Sequence, residues 1–246
     1  LSNYITFPGY DVDGDWGETF CKYWPADVHL IGKDIPRFHT IYWPIMLLAL
    51  ELPLPKQVFG HPWLMVGDGK MSKSKGNVVD PILLCERYGS DAIRYFLMRE
   101  MQYGQDCTYS EVNLALRINN DLANDYGNLL SRTTGMLNKF QDGVVLAPGK
   151  GTEFDRELID LAKATPEAFA QRMDNMEWAN ALAELWKLVG KANKYIDDAA
   201  PWTLNKEGKK EELSTVLYNM AEVLRMVTVM VSPVMPSLLP KVWGQL

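Results

Sequence analysis

Between Val28 and Val66 the chain reads strand, helix, strand, and that order restricts the fold more than any other stretch. Val28-His29-Leu30-Ile31 is a short apolar run ended by Gly32, as expected of a buried parallel strand. A helix should follow. Asp34 stands where it can cap that helix, Pro36 falls in the first turn, and Phe38, Ile41, Tyr42, Ile45, Met46, Leu48 and Leu50 are its apolar residues. Residues 57–66 return as one strand. Two strands joined by a helical crossover make a parallel α/β unit.

After about residue 69 the pattern changes and stays helical. Asp80-Pro81 reads as an N-cap with proline in the first turn, and Gly89 closes that helix. Ser90 starts a helix to about Met101, and Ser110 starts a long one toward Phe140. Residues 143–151 read as a linker. Helical periodicity returns over about 153–174, 178–198 and 209–231, and prolines 233, 236 and 240 break up the tail. The expected fold class is therefore α/β followed by an all-α bundle. The divisions fall at 1–68, 69–110 and 111–246.

Composition narrows the function. The 246 residues are 47% apolar, enough for a sizeable core. The one apolar stretch of note, from Ile41 to Leu54, is interrupted by Pro44, Glu51 and Pro53, so no membrane helix is expected. Cys21, Cys85 and Cys107 lie far apart with no Cys-x-x-Cys spacing, which suggests neither a zinc site nor a disulfide framework and fits a reducing cytoplasm. A net charge of −6 argues against a uniformly basic nucleic-acid surface. Lys70 to Arg99 nevertheless holds six Lys/Arg against three Asp/Glu, a local excess suited to phosphates. The chain opens on Leu1 inside what reads as an ordered segment, so a piece of a longer protein is expected.

Four groups of residues carry chemistry. Gly69-Lys70-Met71-Ser72-Lys73-Ser74-Lys75-Gly76 sets three lysines and two hydroxyls in a glycine-bracketed loop behind an apolar strand. Ammonium groups and hydroxyl donors there would neutralise a polyphosphate as its charge shifts; a lysine-rich loop is otherwise a solvated one. Gly32-Lys33-Asp34 lies at a strand's carboxyl end, where open α/β sheets bind ligands, and Asp34 could accept from ribose hydroxyls, cap its helix, or both. Phe38, His39 and Trp43 begin the crossover helix, with Phe38 and Trp43 expected near one face; such a stripe serves a core as readily as a pocket.

On the long helix, 100° per residue sets Asn124, Asn128, Arg132 and Arg117 within roughly 80° of one another. Leu122, Tyr126, Leu129, Thr133 and Leu137 fall opposite. Solvated faces favour Glu and Lys. This one presents Asn and Arg, which hydrogen-bond base edges and stack on unpaired bases. Trp202, after Pro201, is either core filler or a base-stacking platform.

Taken together, these segments resemble the methionyl-tRNA synthetase family along the whole chain. Lys70 to Ser74 matches the second signature of class I aminoacyl-tRNA synthetases letter for letter. Leu1-Ser2-Asn3-Tyr4-Ile5-Thr6 resembles the stretch after the family's Trp-x-Asp-Ala. His29 to Pro44 resembles its methionine and ribose segment, Asn128-Leu129-Leu130-Ser131-Arg132 its anticodon helix, and Ala200-Pro201-Trp202 its stacking loop.

The resemblance implies the second half of a Rossmann-type sheet, a stem-contact module and an anticodon-binding bundle. It implies that Leu1, Tyr4, Phe38 and His39 line a pocket for L-methionine. Gly32, Asp34 and the backbone near Leu64 would hold ATP, together with Lys70, Ser72, Lys73 and Ser74. Lys70 and Lys73 would stabilise the departing pyrophosphate, with Mg2+ arriving on the ATP. Asn124, Asn128, Arg132 and Trp202 would read the anticodon of the methionine tRNA.

The first signature, His-x-Gly-His, is absent from these residues; His29-Leu30-Ile31-Gly32 lacks the closing histidine. The expectation is thus a ligase whose amino-terminal half lies on the same or a separate chain. The alternative is a catalytically silent anticodon-binding fragment.

Overall fold

The computed structural model describes residues 1–14, 16–67, 69–71, 76, 78–102 and 104–245, with the Lys70 side chain outside that description. Two compact units emerge, one of residues 1–64 and 103–106, the other of residues 65–102 and 107–246.

In the first unit two short helices, α1 (Asn3–Thr6) and α2 (Glu18–Tyr23), precede the strand β1 (Val28–Gly32). A π-helical turn, Phe38–Tyr42, runs straight into α3 (Trp43–Ala49), and β2 (Gln57–His61) returns parallel to β1, with Leu30 opposite Phe59. The expected parallel unit is therefore present. Its core is aromatic: Ile5, Phe20, Trp24, Trp43, Leu47 and Leu52. Residues His39, Trp43 and Leu47, four apart, form the buried stripe of the crossover helix. Phe38 is 50% exposed and Trp43 0%, so those two do not share a face.

The strand expected over 57–66 is two strands. Pro62 has no N–H to give a ladder, and β2 stops at His61. The chain resumes as β3 (Leu64–Val66), which runs antiparallel to β4 (Gly69–Lys70), pairing Met65 with Lys70 and Val66 with Gly69. β5 (Cys107–Tyr109) lies on the other side of β3.

The second unit is otherwise helical. The Asp80 carboxylate accepts from the Ile82 N–H at 2.8 Å and caps α4 (Pro81–Tyr88), which ends at Gly89 with φ +85°. α5 (Ser90–Glu100) follows, and Ser110 caps α6 (Glu111–Arg117) through Asn113 N–H at 3.0 Å. α6 continues without a break through a ten-residue π-helical segment, Ile118–Gly127, into α7 (Asn128–Gln141).

Past the linker come α8 (Asp155–Asp174), α9 (Trp178–Ala199), α10 (Pro201–Lys206), α11 (Lys210–Val231) and α12 (Leu238–Trp243). Leu129, Leu137, Leu158, Leu182, Leu185, Ile196, Val216 and Leu224 are among the residues that fill one core between these helices. Arg94 on α5 ties down the proline-broken tail by donating to the carbonyls of Val234 and Pro233, both at 2.9 Å. Among the described residues no helix is long and apolar enough to cross a membrane.

Candidate functional site

At the carboxyl end of β1 the chain turns sharply at Gly32. A Cβ placed on Gly32 would lie 2.6 Å from Asp34 Oδ1, so the carboxylate rests directly over the glycine. Only a residue without a side chain permits this approach. Beside it Lys33 forms an ion pair with Asp106 at 2.5 Å, and its ammonium lies 4.4 Å from the Trp63 ring centroid. Asp106 also accepts from the Trp63 N–H at 3.0 Å. The Lys33 hydrogen bond, seconded by that N–H, holds the Asp106 carboxyl below its usual range. Neither Asp106 nor Trp63 was legible as a neighbour of this turn, because nothing local in the sequence connects them.

Tyr4 and His39, expected to share a pocket, are brought together: the Tyr4 hydroxyl lies 2.9 Å from His39 Nε2. His39 Nδ1 faces the Ile35 carbonyl at 3.0 Å. A carbonyl only accepts, so Nδ1 carries the proton and Nε2 accepts from Tyr4. Leu1 stands one turn before Tyr4, its carbonyl accepting from the Tyr4 N–H at 3.0 Å. Phe38 packs on Tyr42, ring centroids 5.6 Å apart. Leu64 is half-buried at the start of β3.

Sequence reasoning placed His29 at the start of the methionine and ribose segment but gave it no role of its own. It occupies a buried position of β1, where residues 29 and 31 point inward, and the one signal available was a polar residue inside an apolar strand. Burial, with His39 as a second cause, lowers its pKa. Tyr4, Trp24 and His29 line a cavity of about 920 Å³ together with Phe7, Tyr23 and Val28. Lys70 as a side chain, and Ser72, Lys73 and Ser74 altogether, lie outside the described residues.

In the helical unit Asn124 and Asn128 are exposed and Arg132 is partly so, while Tyr126, Leu129, Thr133 and Leu137 are buried, Leu122 half so. The two-faced helix is thus as expected, apart from Arg117. In the π-helical segment each turn holds more residues than the 3.6-residue pattern allows, and Arg117 is rotated off that face. It pairs with Glu100 and, at 3.3 Å, with Asp121. Buried Asp121 also accepts from the Tyr95 hydroxyl at 2.7 Å, and burial and Asp121 raise the Tyr95 pKa.

Asn128 donates to Asn193 Oδ1 at 3.4 Å and Arg132 pairs with Asp197, both partners on α9. The match is one of spacing: four residues on α7 against four on α9. Asn193 in turn donates to the Asp125 carbonyl at 2.9 Å. At the end of α9, Ala200 adopts φ +43° and swings the chain into α10. Pro201 is buried there while Trp202 stands 48% exposed, which rules out core filler.

In chain order, then, a parallel α/β unit with a glycine-backed carboxylate at a strand end precedes a helical bundle with an Asn/Arg face, and family matches assign both parts to class I aminoacyl-tRNA synthetases. The family described as tRNA synthetases class I (M) matches residues 1–134, and the anticodon binding domain of methionyl tRNA ligase matches residues 145–245. The chain belongs to the methionyl-tRNA synthetase family.

It is 57% identical over 247 residues to the methionine–tRNA ligase of Caldanaerobacter subterraneus and 54% identical over 248 residues to that of Bacillus subtilis. The match takes in 100% of this chain and 38% and 37% of those two proteins, so the chain spans under two fifths of their length. Among solved structures it resembles Mycobacterium tuberculosis methionyl-tRNA synthetase bound by methionyl-adenylate. That likeness has a TM-score of 0.91 and 42% identity over 98% of this chain and 48% of that one. The free form of the same enzyme gives a TM-score of 0.88 at 39% identity.

Proposed function

We propose that these residues are the carboxyl-side part of a ligase that joins methionine to its tRNA through a methionyl-adenylate made from ATP. The observation that carries this reading is the likeness, over 98% of the chain, to a synthetase holding methionyl-adenylate. The methionine carboxylate attacks the α-phosphate of ATP, forming the adenylate and releasing pyrophosphate with its Mg2+. The terminal ribose hydroxyl of the tRNA then attacks the adenylate carbonyl. No protein nucleophile takes part, so catalysis is positioning plus charge stabilisation.

Gly32 and Asp34 hold the ribose, with the backbone near Leu64 beside the adenosine. Lys70, Ser72, Lys73 and Ser74 stabilise the developing charge on the pyrophosphate. Leu1, Tyr4, Phe38 and His39 line the methionine pocket, where a thioether gains from aromatic contact. Residues 69–110 contact the tRNA stem. Asn124, Asn128, Arg132 and Trp202 read the anticodon, in the cytoplasm where tRNA is charged.

The sequence carries three histidines and no His-x-Gly-His, which favours an amino-terminal half supplied by the rest of the same enzyme. Pyrophosphate exchange tests both statements. Lys73→Ala in the complete enzyme should slow adenylate formation by ~100-fold or more, as losing one transition-state donor does, with methionine affinity nearly unchanged. Residues 1–246 alone should show no exchange. An unchanged rate in the variant, or exchange by residues 1–246, would refute the corresponding statement.

A further inference from the structure

The indole N–H of Trp43 is wholly buried and lies 3.0 Å from His29 Nε2. An indole nitrogen only donates. His29 Nε2 must therefore hold a lone pair, and the ring's proton sits on Nδ1. The His29 ring also lies 4.3 Å from the Tyr4 ring, centroid to centroid, tilted by 32°. Tyr4 is 40% exposed and is bonded through its hydroxyl to His39. One imidazole on a rigid strand thus fixes a buried tryptophan at its edge and supports a half-exposed tyrosine on its face. Trp24, 6.0 Å from both His29 and Trp43 and anchored to the Pro53 carbonyl at 3.1 Å, closes the group.

We propose that His29 is a positioning residue of the amino-acid pocket, holding Tyr4, by its own ring contact and through wholly buried Trp43 behind it, in the place from which the tyrosine meets the substrate side chain. This rests on the reading of the pocket as one for methionine. The acceptor is what matters. Without it the Trp43 N–H is buried unpaired, and the indole turns to find another partner. Tyr4 then loses the surface it lies on, and the Tyr4–His39 bond loosens with it. His29 touches no reacting atom, so its removal acts on amino-acid binding and leaves phosphate chemistry alone.

Two variants of the complete enzyme separate this role from a merely structural one. His29→Phe keeps a flat ring under Tyr4 and removes the acceptor; His29→Gln keeps an acceptor near the Nε2 position. The methionine KM should rise ~10-fold in His29→Phe, as expected for a buried donor left unpaired, with the ATP KM within about twofold. His29→Gln should recover most of the loss. An unmoved methionine KM, or equal losses in both variants, overturns the proposal.

A third arm does not require either variant to fold. Nitrogen NMR of the wild type should show His29 as the Nδ1–H tautomer with a coupling across the hydrogen bond from Trp43 Nε1 to His29 Nε2. An Nε2–H tautomer overturns the proposal. If the wild type activates an amino acid other than methionine, the functional reading fails, and the NMR arm still decides His29.

Discussion

The Asp34 carboxylate rests over Gly32, its Oδ1 2.6 Å from where a Cβ on that glycine would be. The clash is with the far end of a side chain and not with backbone, so a methyl group there displaces the carboxylate before it displaces the main chain. That separates a binding role for Asp34 from a structural one. Gly32 also ends β1 one residue beyond Ile31, whose partner on β2 is Gly60. The strand end that carries the turn is therefore anchored by main-chain pairing with β2.

Gly32→Ala in the complete enzyme is expected to raise the ATP KM ~10-fold or more, on the scale of a lost hydrogen bond to a charged group at about 1.5–3 kcal/mol. The methionine KM and the melting temperature should change little. Steady-state pyrophosphate exchange at varied ATP, with a thermal melt beside it, makes the check. A large fall in melting temperature with an unchanged ATP KM would assign Asp34 to the fold alone.

Trp202 offers 48% of its surface to solvent immediately after buried Pro201. On the proposed reading this half-exposed tryptophan stacks an unpaired anticodon base, worth ~1–3 kcal/mol. Trp202→Ala should therefore weaken tRNA aminoacylation, in kcat/KM, by roughly ten- to a hundredfold and leave pyrophosphate exchange without tRNA unchanged. Equal loss in both assays would show that the residue serves folding.

What the sequence disclosed follows from range. Helix ends were legible because their signals are local: Asp80 before Pro81, Ser110 three residues before Asn113, Gly89 after Tyr88. The buried face of the long helix was legible because periodicity survives moderate distortion. The π-helical geometry of Phe38–Tyr42 and Ile118–Gly127 was not, since a 3.6-residue pattern has no sign for it, and this misplaced Arg117; Phe38 and Trp43 fall about 140° apart even on the 3.6-residue pattern, so that face was misread. Partners distant in sequence were equally hidden. Lys33 finds Asp106, Asn128 finds Asn193, and Arg132 finds Asp197 only through the fold. Pro62, which ends β2, was visible and was read through.

Gly127 tests whether the π-helical segment matters to the face that follows it. In an ordinary α-helix, replacing an interior glycine by alanine stabilises by about 1 kcal/mol. Here a Cβ on Gly127 would lie 3.0 Å from the Leu122 carbonyl oxygen, five residues back, and that oxygen belongs to the helix backbone. The Leu122 carbonyl must give by a few tenths of an ångström to admit the methyl, and the strain falls on the turn that leads into Asn128. Gly127→Ala is therefore expected to bring no gain in stability and a loss of up to about 1 kcal/mol, read as a lower denaturation midpoint. Binding of an anticodon stem-loop should weaken several-fold, because Asn128 and Arg132 are carried away from Asn193 and Asp197. A gain of about 1 kcal/mol with undiminished RNA binding would show that the segment relaxes to an α-helix without consequence for the reading face.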